Sequence, residues 1–277
     1  MKTQTLQPRF EILEQDLGGT LGVFARKIGK AESEPLRYKD DETFPAASTI
    51  KVFVLQTLLE QVQGGALRLE DELTLRTEDQ VTGSGILKAL SPDRTYTLHD
   101  LATLMVIISD NTATNLLVGH LGIDAINAVC AQHGWTDTFL AGKLQQKDNT
   151  SMSRTSPRDL GSYFESLWTG KLLDEPLTQT AKSIYYRQHY TDQLGRDLGY
   201  DSYSTETGVS TLRIASKSGS IRGVRNDAGV VSDDGVTYTL AVMTKDCQDL
   251  RFHADNLGSR IISQVSRVTY EHYKAEA

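Results

Sequence analysis

Cysteine, histidine and long apolar runs are all scarce in this chain, and each shortage closes a class of function. Two cysteines, Cys130 and Cys247, in 277 residues cannot build a disulfide framework, so each reads as a small buried residue. His99, His120, His133, His189, His253 and His272 are scattered, with no H-E-x-x-H pair. Cys130 and His133 have ligand-like spacing but no second pair, so they read as one helix face and no metal is expected. No apolar stretch approaches the roughly 20 residues that a membrane span needs, and no membrane partner is expected. The first ten residues have no apolar core and do not read as a signal peptide. The expected compartment is the cytoplasm, or the periplasm or exterior if a leader has been removed. The chain has no P-loop and no G-x-G-x-x-G, and no cofactor is expected. It also has no G-x-S-x-G, which counts against a Ser-His-Asp hydrolase. A net charge of -7, a pI near 5.4 and no basic cluster argue against nucleic acid.

What remains is an ordinary globular balance, 39% hydrophobic and 23% charged, enough for one large domain or two interleaved ones. One stretch organises the rest. From Phe44-Pro45-Ala46-Ala47 the chain reaches Ser48, and an apolar run to Leu59 predicts a helix hydrophobic nearly all round, hence buried. Lys51 lies one turn past Ser48 on the same face. A neutral amine there would be a base for a serine nucleophile. The plainer reading is an N-cap serine with a snorkelling lysine. Before this helix, residues 9–18 suit a helix, Leu21 to Ile28 a strand, and Pro35 to Phe44 holds a second. Residues 29–34 between them read as a turn. After it, the helix stops at Gly64-Gly65, and Thr82-Gly83-Ser84-Gly85 reads as a turn whose glycines could also line a cleft. Thr97-Leu98-His99-Asp100 resembles a capping box for a helix to Ile108. Ser109-Asp110-Asn111 then separates it from a helix over Thr112 to Leu121, with Asp110 or Asn111 as its cap. Further helices are predicted over Asp124–Gln132, from Ser156-Pro157 to Thr169-Gly170, and over Pro176–Arg187. Residues 135–155 read as a surface loop covering a cleft. The tail alternates like strands over Thr211–Ser216, Asp227–Ser232 and Val236–Thr244, before a helix over Leu250–Tyr273. Strands at both ends and helices between them predict an α+β fold in which the two ends meet in one antiparallel sheet.

Ser48-x-x-Lys51, Ser109-Asp110-Asn111 and Lys217-Ser218-Gly219 follow one another in that order. The set resembles the class A β-lactamase and penicillin-binding-protein superfamily, for which these motifs are characteristic. Ser218 stands where Thr is commoner. The similarity extends through Leu101–Leu121 and Gly223–Gly229 and covers residues 17–270. It implies a five-stranded antiparallel sheet flanked by N- and C-terminal helices, with an all-helical lobe and the active site between them. Residues 1–45 and 205–277 would form the sheet lobe and residues 46–204 the helical one. It also implies roles. Ser48 is acylated, Lys51 takes its proton, and Ser109 relays a proton to the leaving amine. Asn111 holds the substrate amide and orients Lys51. Lys217 binds the substrate carboxylate with Ser218, helped by Gly219, Ser220 and Arg225, with Arg222 a weaker candidate. The N–H groups of Ser48 and Ser220 form the oxyanion hole. The alternative for either arginine is a salt bridge to Asp227 or Asp233. The expected partner is a small molecule, a β-lactam or an acyl-D-Ala-like amide or ester, bound by a monomer.

One departure stands out. Class A enzymes carry a Glu in the loop after the second motif, where it activates the deacylating water. No Glu occurs between Glu78 and Glu165. The loop position falls near Leu144-Gln145-Gln146, Asp148 is the nearest loop carboxylate, and Glu165 reads as a surface or capping residue. Acylation without fast deacylation is the expectation, with a D,D-peptidase, an esterase or an acylated non-turnover binder as alternatives.

Overall fold

The computed structural model describes residues 6–29, 33–145 and 152–276. Its elements run, in order, α1 (Gln7–Leu17), β1 (Thr20–Lys27), β2 (Leu36–Tyr38), β3 (Phe44–Pro45), α2 (Lys51–Gln63), β4 (Glu72–Leu75), β5 (Arg94–Thr97), α3 (Leu98–Ile107), α4 (Asn111–Leu121) and α5 (Ile123–Gln132). Then follow β6 (Arg154–Thr155), α6 (Pro157–Trp168), α7 (Glu175–Tyr186), α8 (Ser202–Glu206), β7 (Arg213–Ile221), β8 (Val224–Asp233), β9 (Val236–Lys245) and α9 (Leu257–Ala275). The main sheet has the order β2-β1-β9-β8-β7, every pairing antiparallel. The two ends of the chain meet in it where β1 pairs with β9, Val23 opposite Val242.

The sheet is apolar on both faces because each is covered. One face, with Val23, Leu240 and Val242, packs with Phe10 of α1 and Ile261, Ile262 and Val265 of α9. The other, with Ala215, Ala228, Ala241 and Met243, joins a larger core that includes Val52, Phe53, Val54, Leu55, Leu58 and Leu59 of α2. In α2 every residue from Lys51 to Leu59 is buried, so the helix has no solvent face to reserve for its charge. Thr97, Ser156 and Asp174 cap α3, α6 and α7 through their side-chain oxygens, each satisfying an otherwise orphaned helix N–H. Both cysteines are free and buried. No described helix is long and apolar enough to cross a membrane.

Three predicted boundaries move. The first C-terminal strand, predicted over Thr211–Ser216, runs through Lys217-Ser218-Gly219: β7 starts at Arg213 and continues to Ile221, and the turn is Arg222-Gly223 with Gly223 at φ 70°. The last helix begins at Leu257 rather than Leu250, because the Asn256 side chain accepts from the Gly258 N–H and closes a loop there. Ser48 is not an N-cap: it lies in a single 3₁₀ turn, Ala47–Ile50, that leads into α2. The loop predicted over 135–155 is described at both ends and contributes β6, paired to β3, while Gln146, Asp148 and the rest of 146–151 lie outside the described residues, as do residues 30–32 of the turn predicted after β1.

Candidate active site

Lys51 enters the fold as the first residue of a buried helix and is wholly inaccessible, which excludes the snorkelling reading. Its Nζ lies 2.7 Å from the Ser109 carbonyl oxygen, 2.9 Å from Ser109 Oγ and 2.9 Å from Asn111 Oδ1. Burial pushes its pKa well below the usual lysine value, and the charge of Lys217 pushes it further. Lys217, also inaccessible, donates to Ser109 Oγ at 3.1 Å and to the Ser218 carbonyl oxygen at 2.7 Å. Burial lowers it to about 7, with the Asp227 carboxylate opposing the shift. Two amines thus converge on the hydroxyl of Ser109.

The hinge between α3 and α4 makes that convergence possible. Ser109 sits at φ 55°, a left-handed conformation that a non-glycine residue adopts only when its surroundings impose it. Asp110 supplies the constraint. It is the N-cap of α4, accepting from Ala113 N, and its other oxygen accepts from the Ile86 and Leu87 amides. Gly85, at φ 102°, packs directly on that carboxylate. Asn111 Nδ2 donates to the Thr82 carbonyl, which fixes Oδ1 toward Lys51. The segment read as a turn therefore lines the cleft as well, through Gly83 and Ser84.

Ser48 is set against the sheet edge. Its neighbour Ala47 lies at φ 47°, and the carbonyls of Pro45 and Ala46 accept hydrogen bonds from Asn226 Nδ2 at 2.9 and 3.2 Å. Asn226 is a positioning residue that the motif reading did not single out. A Cβ on Gly219 would lie 2.8 Å from the Ser48 nitrogen, so only glycine lets β7 approach the turn this closely. Ser48, Ser84, Ser220 and Phe252 border both of two adjoining cavities. One, about 290 Å³, reaches Ser109, Ser218, Gly219, Arg225, Tyr190 and Asp192. The other, about 690 Å³, reaches Asn111, Leu144, Gln145, Met152 and Arg222.

The predicted residues Ser48, Lys51, Ser109, Asn111, Lys217, Ser218, Gly219, Ser220 and Arg225 are all brought together around this cleft. Arg225 is buried and makes neither predicted salt bridge. Its guanidinium donates to the carbonyls of Ile221, Val224 and Arg251 and lies 4.9 Å from the Phe252 ring centroid. Arg222 is exposed and borders only the larger cavity. Glu165, on α6, pairs with Arg26 of β1. At the expected position of the loop carboxylate, the Asn115 side chain grips Leu144 by both its N–H (2.7 Å) and its carbonyl (2.9 Å). Among the described residues the larger cavity has no carboxylate in its lining. Asn115 carries no signal in sequence, because a helix-face asparagine with a loop partner looks like any other.

A serine in the 3₁₀ turn that leads into a buried helix, two buried amines sharing a second serine, and a glycine-edged strand against that turn form an arrangement suited to acyl transfer on serine. The chain belongs to the beta-lactamase enzyme family, whose model matches residues 5–273, and is a β-lactamase-like hydrolase. It is 27% identical over 248 residues to the β-lactamase CTX-M-97 of Escherichia coli, covering 87% of this chain and 77% of that protein. The β-lactamase of Sphaerobacter thermophilus superposes with a TM-score of 0.85 at 28% identity, covering 96% of this chain and 97% of the other. PBP-A superposes at 0.83 with 29% identity and 98% coverage of both. A PBP-A variant solved as an acyl-enzyme with penicillin G gives 0.82, 29% and 96% of both.

Proposed function

We propose that the chain opens β-lactam amides through an acyl-Ser48 adduct that is made quickly and hydrolysed slowly. The observation that carries this is the buried chain Lys217–Ser109–Lys51 beside Ser48, set against Leu144 at the loop position. A neutral lysine has two N–H donors and one lone pair, and of its three neighbours only the Ser109 hydroxyl can donate. With Lys51 neutral, the hydrogen bonds therefore run from Lys217 ammonium to Ser109 Oγ, and from Ser109 hydroxyl to Lys51 nitrogen. As Ser48 Oγ attacks the carbonyl, the Lys51 lone pair turns from the Ser109 hydroxyl to take the Ser48 proton; as the C–N bond breaks, Ser109 gives its hydroxyl proton to the departing nitrogen and recovers one from the Lys51 ammonium. The Ser48 and Ser220 amides receive the oxyanion. Lys217, Ser218 and the neighbouring Arg225 charge receive the substrate carboxylate, and Asn111 receives the acyl amide.

Hydrolysis of the adduct needs a base for water, and a leucine cannot serve. The similarity to PBP-A, whose variant holds penicillin G as an acyl-enzyme, supports penicillins as the probe. Intact-protein mass spectrometry over time, with a penicillin, a cephalosporin and a D-Ala-D-Ala peptide, tests the reading. A stable penicillin adduct that Ser48→Ala abolishes is expected. Rapid loss of adduct with product release would mean another group supplies the base. Turnover of the peptide alone would make the chain a D,D-peptidase, and labelling of Ser48→Ala would exclude Ser48 as nucleophile.

A further inference from the structure

We infer that α7 and the start of β7 form a second binding site, for a phosphate-bearing ligand, outside the acyl-transfer cleft. A cavity of about 530 Å³ lies there, bordered by Lys182, Ser183, Tyr186, Arg187, Ser202 and Arg213. It shares no lining residue with either cavity at Ser48. The α7 members recur at three- and four-residue spacing, so they form one stripe of the helix.

Three cations face this space. Lys182 Nζ lies 5.4 Å from the Trp168 ring centroid, and the Arg213 guanidinium lies 4.3 Å from that of Tyr186. Arg187, which caps the C-terminal end of α7, donates from Nε to the Ser183 carbonyl. Among the described residues none of the three has an ion-pair partner, and none lining the cavity is a carboxylate. In a chain of net charge -7, three cations around one cavity, with no ion-pair partner among the described residues, form a local positive field against the overall sign. The Arg213 guanidinium lies over the Tyr186 ring and has no hydrogen bond among the described residues, so its N–H groups can make bidentate contact with phosphate oxygens. The Ser183 and Ser202 hydroxyls add neutral donors. Two guanidinium groups, one ammonium and two hydroxyls match a tetrahedral, multiply charged group better than a single planar carboxylate.

Inorganic pyrophosphate is the probe. Trp168 lies 5.8 Å from Tyr186, centroid to centroid, and the other tryptophan, Trp135, is buried in the helical core, so Trp168 fluorescence reports on the cavity. At constant ionic strength, pyrophosphate should change that fluorescence saturably. Arg213→Gln and, separately, the exposed Arg187→Gln should each raise the dissociation constant at least tenfold. Calorimetric titration should give the same constants. No saturable response, or one matched by sodium chloride, would overturn the proposal. Binding that survives both substitutions would put the anion in the cleft, with Lys217 and Arg225, and would overturn it equally.

Discussion

Replacing Leu144 by Glu should turn a persistent penicillin adduct into a transient one. Asn115 holds the Leu144 backbone at both its N–H and its carbonyl, so a new side chain starts from a fixed Cα beside the cavity that Ser48 also lines. A positioned general base contributes about 10²–10⁴ in rate. Two features favour the lower end. The carboxylate would attract a proton onto Lys51, whose depressed pKa rests on burial and on Lys217, and the half-buried leucine loses ~1 kcal/mol or more of apolar burial. Adduct lifetime should therefore fall about 100-fold, with acylation itself slowed several-fold at most. Decay of the adduct mass after removal of excess penicillin measures the first, and stopped-flow labelling the second. Leu144→Gln, similar in shape and uncharged, should leave the lifetime unchanged. The reasoning is refuted if Leu144→Glu folds and is acylated yet decays like the parent, or if Leu144→Gln accelerates decay equally.

Gly219→Ala would place a methyl group 2.8 Å from the Ser48 nitrogen, so acylation should fall by about 100-fold or more, the effect of losing an oxyanion donor; near-normal labelling would contradict the close-approach argument. With Lys51 as the proposed base and Lys217 as the proposed cation, the acylation rate should rise through the lowered Lys51 pKa and decline as Lys217 loses its proton near 7. The Asp227 carboxylate raises the Lys217 pKa, so Asp227→Asn should shift the declining limb to lower pH in a stopped-flow profile, and a shift to higher pH would contradict the assignment. Phe252 is 68% exposed, borders both cavities and faces Arg225. Phe252→Ala should raise the penicillin concentration for half-maximal acylation about twofold to fivefold, from a cation–π contribution of about 0.5–1 kcal/mol, with the limiting rate unchanged.

Local relations were readable in the chain. Ser48 and Lys51 share a face because a spacing of three is about one helical turn, and the caps at Thr97 and Asp110 follow from side-chain chemistry within four residues. Glycine misled where it serves packing rather than turning: Gly219 looks like a strand end, yet it lies inside β7, where the backbone of the Ser48 turn presses on it. The late start of α9 was hidden because Leu250 and Phe252 extend the apolar pattern of a helix, while Asn256 and the carbonyl partners of Arg225 hold that segment as a loop.

The left-handed backbone at Ala47 and Ser109 leaves no trace in residue type, because it is imposed from far away in sequence. Asn226 reaches back 180 residues to the Ala46 carbonyl, and Asp110 gathers the amides of Ile86 and Leu87. Each strained residue costs of order 1–3 kcal/mol, and a hydrogen bond returns about 1 kcal/mol net, or 1.5–3 when one partner is charged. One tie could not hold either conformation. The paired carbonyl contacts of Asn226 and the three amides on Asp110 can, and they fasten the nucleophile turn to the sheet and the second serine to the helices. Ser48 and Ser109 are therefore placed by opposite sides of the cleft, which ties acyl-transfer geometry to the packing of the sheet edge against the helices.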